Sequence, residues 1–220
     1  MVTVQIASLP ARVSTLEKTV GSLINQCDIM FVALNKYTDV PHFLCNNRKI
    51  VYALMDNRYG DAAKFYDVDT RSGYVLTCDD DLVYPPDYST FMINGVKKHG
   101  GVVSLLGKRY DNRPIPSFRS GYTALYKCLG RVIGDHEVHL GGTGAMAFHS
   151  DSLKISMDDF PVPNMADIWL AKLAHEQGAK ITVLAHPSRY VQHHTYSRRI
   201  WITERKNDGY QTEVLNSFLK

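Results

Sequence analysis

Residues 73–86 read GYVLTCDDDLVYPP. An apolar, β-rich run ends in three consecutive carboxylates, Asp79, Asp80 and Asp81, and Pro85-Pro86 stops the strand and starts the next helix. This is the pattern of a buried strand that delivers acids to its carboxyl end. Toward the N-terminus the same grammar repeats. Residues 2–7 read as a strand, and Pro10 sits in the first turn of a helix with Ser8 as its cap. Val13, Leu16, Val20, Leu23 and Ile24 fall on one face of that helix. Residues 28–34 (DIMFVAL) are apolar and too short for a typical helix, so they form a buried strand. Residues 49–54 give a third strand, and residues 60–66 a short helix.

Toward the C-terminus, a helix runs from Pro86 to Lys98, Gly100-Gly101 ends it, and residues 102–106 form a strand. Residues 107–143 have poor periodicity and read as irregular structure with a short helix over 122–129. Residues 144–149 read as a strand, 165–177 as a helix stopped by Gly178, 181–185 as a strand, and 209–219 as a terminal helix. Repeated strand–helix units predict an α/β fold with a mixed, mostly parallel central sheet and helices on both faces. Ligands of such sheets bind beyond the carboxyl ends of the strands, where the three acids lie. With no linker and no internal repeat, residues 1–220 are expected to form a single domain.

The composition excludes several classes. Hydrophobic residues make up 45% of the 220 and charged residues 21%, as in soluble globular proteins. The net charge of +3 is too mild for a nucleic-acid partner. Cys27, Cys45, Cys78 and Cys128 form no CxxC pair, which argues against a zinc site or a disulfide scaffold and for reduced thiols in a cytoplasmic chain. No basic leader precedes an apolar stretch, so no signal peptide is expected. The longest apolar run has six residues, 29–34, whereas a spanning helix needs about 20, so no membrane span is expected.

Three adjacent carboxylates repel one another, and a chain tolerates them best with a cation among them. Strand alternation would point Asp79 and Asp81 the same way, and hard oxygen ligands suit Mg²⁺ or Mn²⁺. Such a metal can bridge to a diphosphate. The competing reading is a solvated acidic turn. An EF-hand loop needs Gly at its sixth position, where Tyr84 stands. A dehalogenase-type DxDx[TV] fails because Asp67-Val68-Asp69-Thr70 places Thr one residue early, and no GxxxxGK[ST] loop occurs. Residues 142–147 (GTGAMA) match the dinucleotide pattern GxGxxA, but they come late and lead into a strand. A glycine-rich turn that lets substrate approach the backbone fits better.

Taken in order, these segments resemble the GT-A glycosyltransferases, especially family-2-like enzymes that use nucleotide sugars, over about residues 2–196. VQIASLPARVSTLEKTVGSLINQ is similar to the family's first strand and helix, which implies that Ala7, Ser8, Pro10 and Arg12 hold the nucleotide. NRYGDAAKF resembles the G-x-x-x-A-[RK] segment near the base and diphosphate, implicating Asp56, Gly60, Asp61 and Lys64. TCDDDLVYPP resembles the DxD strand, with Asp81 and then Asp79 as metal ligands and Asp79 and Asp80 at the donor. GGTGAMAFHS resembles the stretch facing the transferred sugar, with Gly142 and Thr143. Met165-Ala166-Asp167 resembles the ED segment. Ala166 stands where the family has Glu, so only Asp167 carries over, as general base.

The family often takes a further metal ligand from a late His, here His193 or His194. Arg198, Arg199 and Lys64 could pair with phosphates, and Trp201 could stack on a sugar, while Trp169 reads as core. Residues 107–121 (GKRYDNRPIPSFRSG) could shape the acceptor site, or be an ordinary surface loop. The resemblance implies Mn²⁺ (or Mg²⁺), a nucleotide sugar with UDP favoured, and a glycan acceptor. It also implies transfer of a hexose-type sugar with inversion, a nucleotide-binding part over about 1–106 and an acceptor-side part over about 107–220. Two alternatives stay open: a non-catalytic nucleotide-sugar-binding module, and a nucleotidyltransferase on a similar fold.

Overall fold

A computed structural model describes residues 1–194 and 208–219. The strands are β1 (Val2–Ser8), β2 (Ile29–Asn35), β3 (Ile50–Met55), β4 (Tyr74–Asp79), β5 (Leu82–Val83), β6 (Val102–Ser104), β7 (Gly107–Arg109), β8 (Ala124–Tyr126), β9 (His136–Val138), β10 (Leu140–Gly141), β11 (Ala145–His149), β12 (Ile181–Val183) and β13 (Gln192–His193). The helices are α1 (Val13–Leu23), α2 (His42–Cys45), α3 (Tyr88–His99), α4 (Ala166–Glu176) and α5 (Asp208–Phe218). An eight-stranded sheet has the order β3-β2-β1-β4-β11-β6-β12-β9. Its first four strands are mutually parallel, as are β6 and β12. β11 is antiparallel to both neighbours, and β9 is antiparallel to β12. This mixed, mostly parallel sheet flanked by helices is the Rossmann-like GT-A fold.

Alternation along the central strands sorts the core into two faces. Val4, Ile6, Leu76, Cys78, Ala145 and Ala147 pack with Leu16, Val20 and Leu23 of α1 and Met92 and Val96 of α3. Val75, Met146 and Phe148 pack on the other face, with Ile168, Trp169 and Leu173 of α4 and Val214, Leu215 and Phe218 of α5. Each fully buried side chain of this kind contributes roughly 1.5–3 kcal/mol. Such packing, more than helix propensity, holds helices of 11 or 12 residues in place.

The expected elements from β1 to β6 appear within a residue or two of their predicted limits. Three details differ. Ser8 is not a helix cap: it ends β1, and its Oγ lies 3.1 Å from the Tyr37 hydroxyl while the following turn has no side-chain cap. Val13 is 40% exposed rather than part of the buried face, because a 3-10 turn over Pro10–Arg12 rotates the start of α1. The helix expected over 122–129 is instead β8, paired antiparallel with β7 in a three-stranded sheet with β10. Trp169 is core as expected, its indole N–H donating to Val162 O. Among the described residues no helix is long and apolar enough to cross a membrane. All four cysteines are free, and Cys27 and Cys78 are buried.

Candidate active site

The register of the sheet assembles the site. Ala7 of β1 lies opposite Asp79 of β4, and Cys78 lies opposite Ala145 of β11. The carboxyl ends of β1 and β4 therefore meet the amino end of β11 and the turn Gly142–Gly144 before it. Leu76 and Cys78 point into the α1–α3 core, so Thr77 and Asp79 point to the opposite face, where a 3-10 turn over Gly60–Phe65 crosses β1.

That turn buries Lys64, whose side chain is 3% exposed, and the ammonium pairs with Asp79, whose carboxylate stays 44% exposed to the cleft. Burial opposes both charges. Lys64 and Arg12 nevertheless hold Asp79 below the ordinary carboxylate range, and Asp79 and Asp61 keep Lys64 above its usual value. The backbone of Asp79 is clamped as well: its amide donates to Tyr84 Oη at 2.8 Å and to Gly144 O at 3.0 Å. A side chain at position 144 would collide with the Asp79 carboxylate, so glycine there is what lets β11 come alongside.

The three acids do not alternate as expected. β4 ends at Asp79 and the chain turns, so Asp80 and Asp81 share one cation: Arg12 Nη1 lies 2.7 Å from Asp80 Oδ1 and 3.3 Å from Asp81 Oδ2. Asp80 is almost fully buried, and burial pushes its pKa up to about 6 despite Arg12. Asp81 Oδ2 also lies 3.5 Å from His193 Nε2, because β13 pairs with β5 and places His193 opposite Leu82. His194 donates its amide to Asp81 O at 3.0 Å, and its imidazole is held below its usual pKa by burial and by Lys18.

Two further acids face Lys64. Asp167, in the first turn of α4, is half-buried, and its Oδ1 accepts from the amide and the hydroxyl of Thr143, both at 2.8 Å. Burial raises its pKa against those hydrogen bonds and the Lys64 charge. Asp61 accepts from the Ala166 amide at the start of α4, and burial pushes its pKa up to about 7. Gly60 beside it has φ +56° and lies against Asn164, a position a larger residue could not take.

Asp61 sets a pH dependence whose sign follows from linkage. Its carboxyl keeps its proton in the folded chain up to about pH 7. In the unfolded chain it ionises from about pH 4, so stability contributed by the protonated form is lost as pH rises through that window. Its contribution to the slope is at most about 1.4 kcal/mol per pH unit. Asp61→Asn should flatten the fall in urea midpoint between pH 5 and 7. An unchanged fall in the variant would assign the titration to another group.

Among the described residues, no three carboxylate, imidazole or thiol groups gather as a ready metal cage. The donor set still suits a hard divalent cation. Mg²⁺ and Mn²⁺ are commonly held by one or two carboxylates, with substrate phosphates and water completing the shell. Asp81 with His193 supplies two neighbouring donors, and the Asp79 carboxylate beyond β4 is partly exposed.

The remaining expected residues take varied places. Ala7 lies at the carboxyl end of β1 and Pro10 opens the 3-10 turn that carries Arg12. Gly142 packs on Leu106 and donates its amide to Leu106 O. Asp56 stays at the exposed rim after β3, with its carboxylate capping the Arg58 amide. Arg198, Arg199 and Trp201 lie outside the described residues.

Sequence reasoning did not single out Tyr37, which braces Ser8 and donates to Leu9 O, nor Tyr84, which clamps the Asp79 backbone. It also passed over Lys108, half-buried within the polar loop near Asp167. No spacing marks any of these; each is defined by how the chain turns to bring the contact about.

No protein-family model matches the chain. No curated protein matches it. Among solved structures, the crystal structure of S. aureus TarS 1-349 is similar, with a TM-score of 0.52 and 11% sequence identity over 85% of this chain and 58% of that one. The chain thus spans little more than half of that structure, and the likeness is one of fold.

Proposed function

We propose that residues 1–220 form a single-domain, metal-dependent glycosyltransferase that moves a hexose-type sugar from a nucleoside diphosphate, UDP favoured, to a glycan hydroxyl with inversion. One observation carries this reading. At the acidic end of β4, Lys64 pairs with Asp79 and Arg12 with Asp80 and Asp81, and the Asp167 carboxylate, positioned by Thr143, acts on the same Lys64. In this reading phosphate recognition and the proton acceptor share the carboxyl end of β4. Residues up to about 106 hold the donor in this reading, and the rest face the acceptor.

The donor chemistry argues for the metal. Asp79, Asp80 and Asp81 gather three carboxylates around Lys64, Arg12 and His193, a hard-oxygen set of the kind that takes Mg²⁺ or Mn²⁺ together with substrate phosphates. Asp81, His193 and the open side of Asp79 would hold Mn²⁺ or Mg²⁺. Bound there, it supplies electrostatic stabilisation of the leaving diphosphate. Lys64 and Arg12 orient the phosphates, and the Gly142-Thr143 turn brings backbone close to the sugar. Asp167 takes the proton from the acceptor hydroxyl as its oxygen attacks the anomeric carbon. The bond from that carbon to the diphosphate oxygen breaks, and the nucleoside diphosphate leaves with the electron pair. A single in-line attack inverts the centre.

The test is release of nucleoside diphosphate from UDP-, dTDP- and GDP-sugars with Mn²⁺ or with EDTA, in wild type and Asp81→Ala. Release from one donor that requires Mn²⁺ and vanishes in the variant is expected. Metal-dependent donor binding without release, even with a mixed glycan acceptor pool, would instead indicate a binding module. Release of pyrophosphate would indicate nucleotidyl transfer.

A further inference from the structure

Among the described residues, Lys108 is a cation without a salt-bridge partner. It lies in β7, opposite Leu140 of β10, one strand step from the Gly141–Thr143 turn that holds Asp167. Its ammonium sits 4.0 Å from the Phe118 ring centre and 5.4 Å from that of Tyr122, and it donates to Phe118 O at 3.0 Å. Among the described residues no carboxylate lies within ion-pair distance of it. The charged groups acting on it are Asp167 from α4, Arg119 from the same loop and Asp208 at the start of α5. Asp208 is already engaged by Arg119, which donates its amide at 3.0 Å.

The loop around Lys108 is anchored. Asn216 Oδ1 accepts from the Ile115 amide, Thr212 Oγ1 accepts from the Phe118 amide, and Tyr110 Oη donates to Phe118 O. α5 thus holds the aromatic cage from outside while β7 holds the lysine from inside. Residues 107–121 also carry Lys108, Arg109, Arg113 and Arg119 against the single acid Asp111, a local excess as large as the +3 of the whole chain. Desolvation lowers the Lys108 pKa to about 8, which means its surroundings do not replace the lost hydration. A half-buried ammonium with only one carbonyl partner has donors left for an incoming anion.

We propose that Lys108, with Phe118 and Tyr122, forms an acceptor subsite that seats an anionic group, carboxylate or phosphate, on the saccharide to be glycosylated. The inference rests on the glycosyltransferase reading for the role of the bound saccharide, though the anion site itself does not. An acid on the acceptor would sit on the ammonium while its apolar ring face meets the aromatic pair, bringing a hydroxyl toward Asp167.

The experiment follows ¹³C-methylated lysine signals by NMR while glucuronate, glucose 1-phosphate or neutral glucose is added to the full chain without donor. The two charged probes separate carboxylate from phosphate as the preferred group. At least one should bind tenfold or more tighter than glucose and move the Lys108 titration upward from about pH 8. Lys108→Arg should keep the preference and Lys108→Met should erase it. Equal binding of glucose and both acids, or a preference that survives Lys108→Met, overturns the proposal. Because the probes bind without donor, an anion preference with no diphosphate release from any sugar nucleotide would sink the transferase and leave the subsite standing. Diphosphate release stimulated equally by neutral saccharides would do the reverse.

Discussion

Lys64→Met should cost about 3 kcal/mol of stability and at least a hundredfold in turnover. Lys64 is buried and is the ammonium to which Asp79, Asp61 and Asp167 all respond. Methionine matches its length and apolar stem but leaves three carboxylates facing one another. Removing one partner of a buried pair typically costs about 3–5 kcal/mol, and the low end applies here because Asp79 can still turn to solvent. Turnover should fall separately, since in the proposed reading the ammonium also orients the diphosphate. Urea denaturation and diphosphate release measure the two effects. The double variant Lys64→Met/Asp79→Asn tests the cause: it should regain much of the lost stability and none of the activity. If it regains no stability, the ion pair is not what Lys64 contributes.

Asp167→Asn should lower kcat about a thousandfold while the donor dissociation constant stays within a factor of about three. Asparagine keeps an oxygen for the Thr143 amide and hydroxyl, so the turn before β11 should hold its shape and stability should change little. What disappears is the capacity to take a proton. Because burial raises the Asp167 pKa, the acid limb of the wild-type kcat profile should lie above the ordinary carboxylate value near 4. A variant with kcat within tenfold of wild type would remove Asp167 as the base, and Asp61 would be the next carboxylate to test.

The parallel half of the sheet was legible because β1, β2 and β4 are β-rich runs too short for a typical helix, each followed by turn chemistry. The chain from about residue 107 to 143 was not. β7, β9 and β10 are two or three residues long, too short for any period to register. β8 was mistaken for helix because its apolar residues are flanked by others at helical spacing, and only pairing with β7 makes them extended. In the site, the three acids at the end of β4 stood out by their position in the pattern, and Asp167 by its resemblance to the family's ED segment. Their partners did not: alternation assumed that β4 continues to Asp81, whereas it ends at Asp79, and that one residue decides which acid meets Lys64 and which meet Arg12. Lys108 looked like any cation in a polar loop until Phe118 and Tyr122 closed around it.

The antiparallel placement of β11 has a consequence for how the chain is made. β4 and β6 are complete by residue 104, yet the strand that joins them spans Ala145–His149. As the polypeptide leaves the ribosome, both edges must wait, unpaired and apolar, for some forty residues of poorly patterned sequence to emerge. Open edges of this kind are templates for aggregation. The first half of the chain, however self-sufficient its β-α pattern looks, is therefore not a fragment to express by itself. When β11 arrives it bridges β4 and β6, and the turn before it brings Gly144 against Asp79 and Thr143 to the place where Asp167 of the later helix α4 will bind.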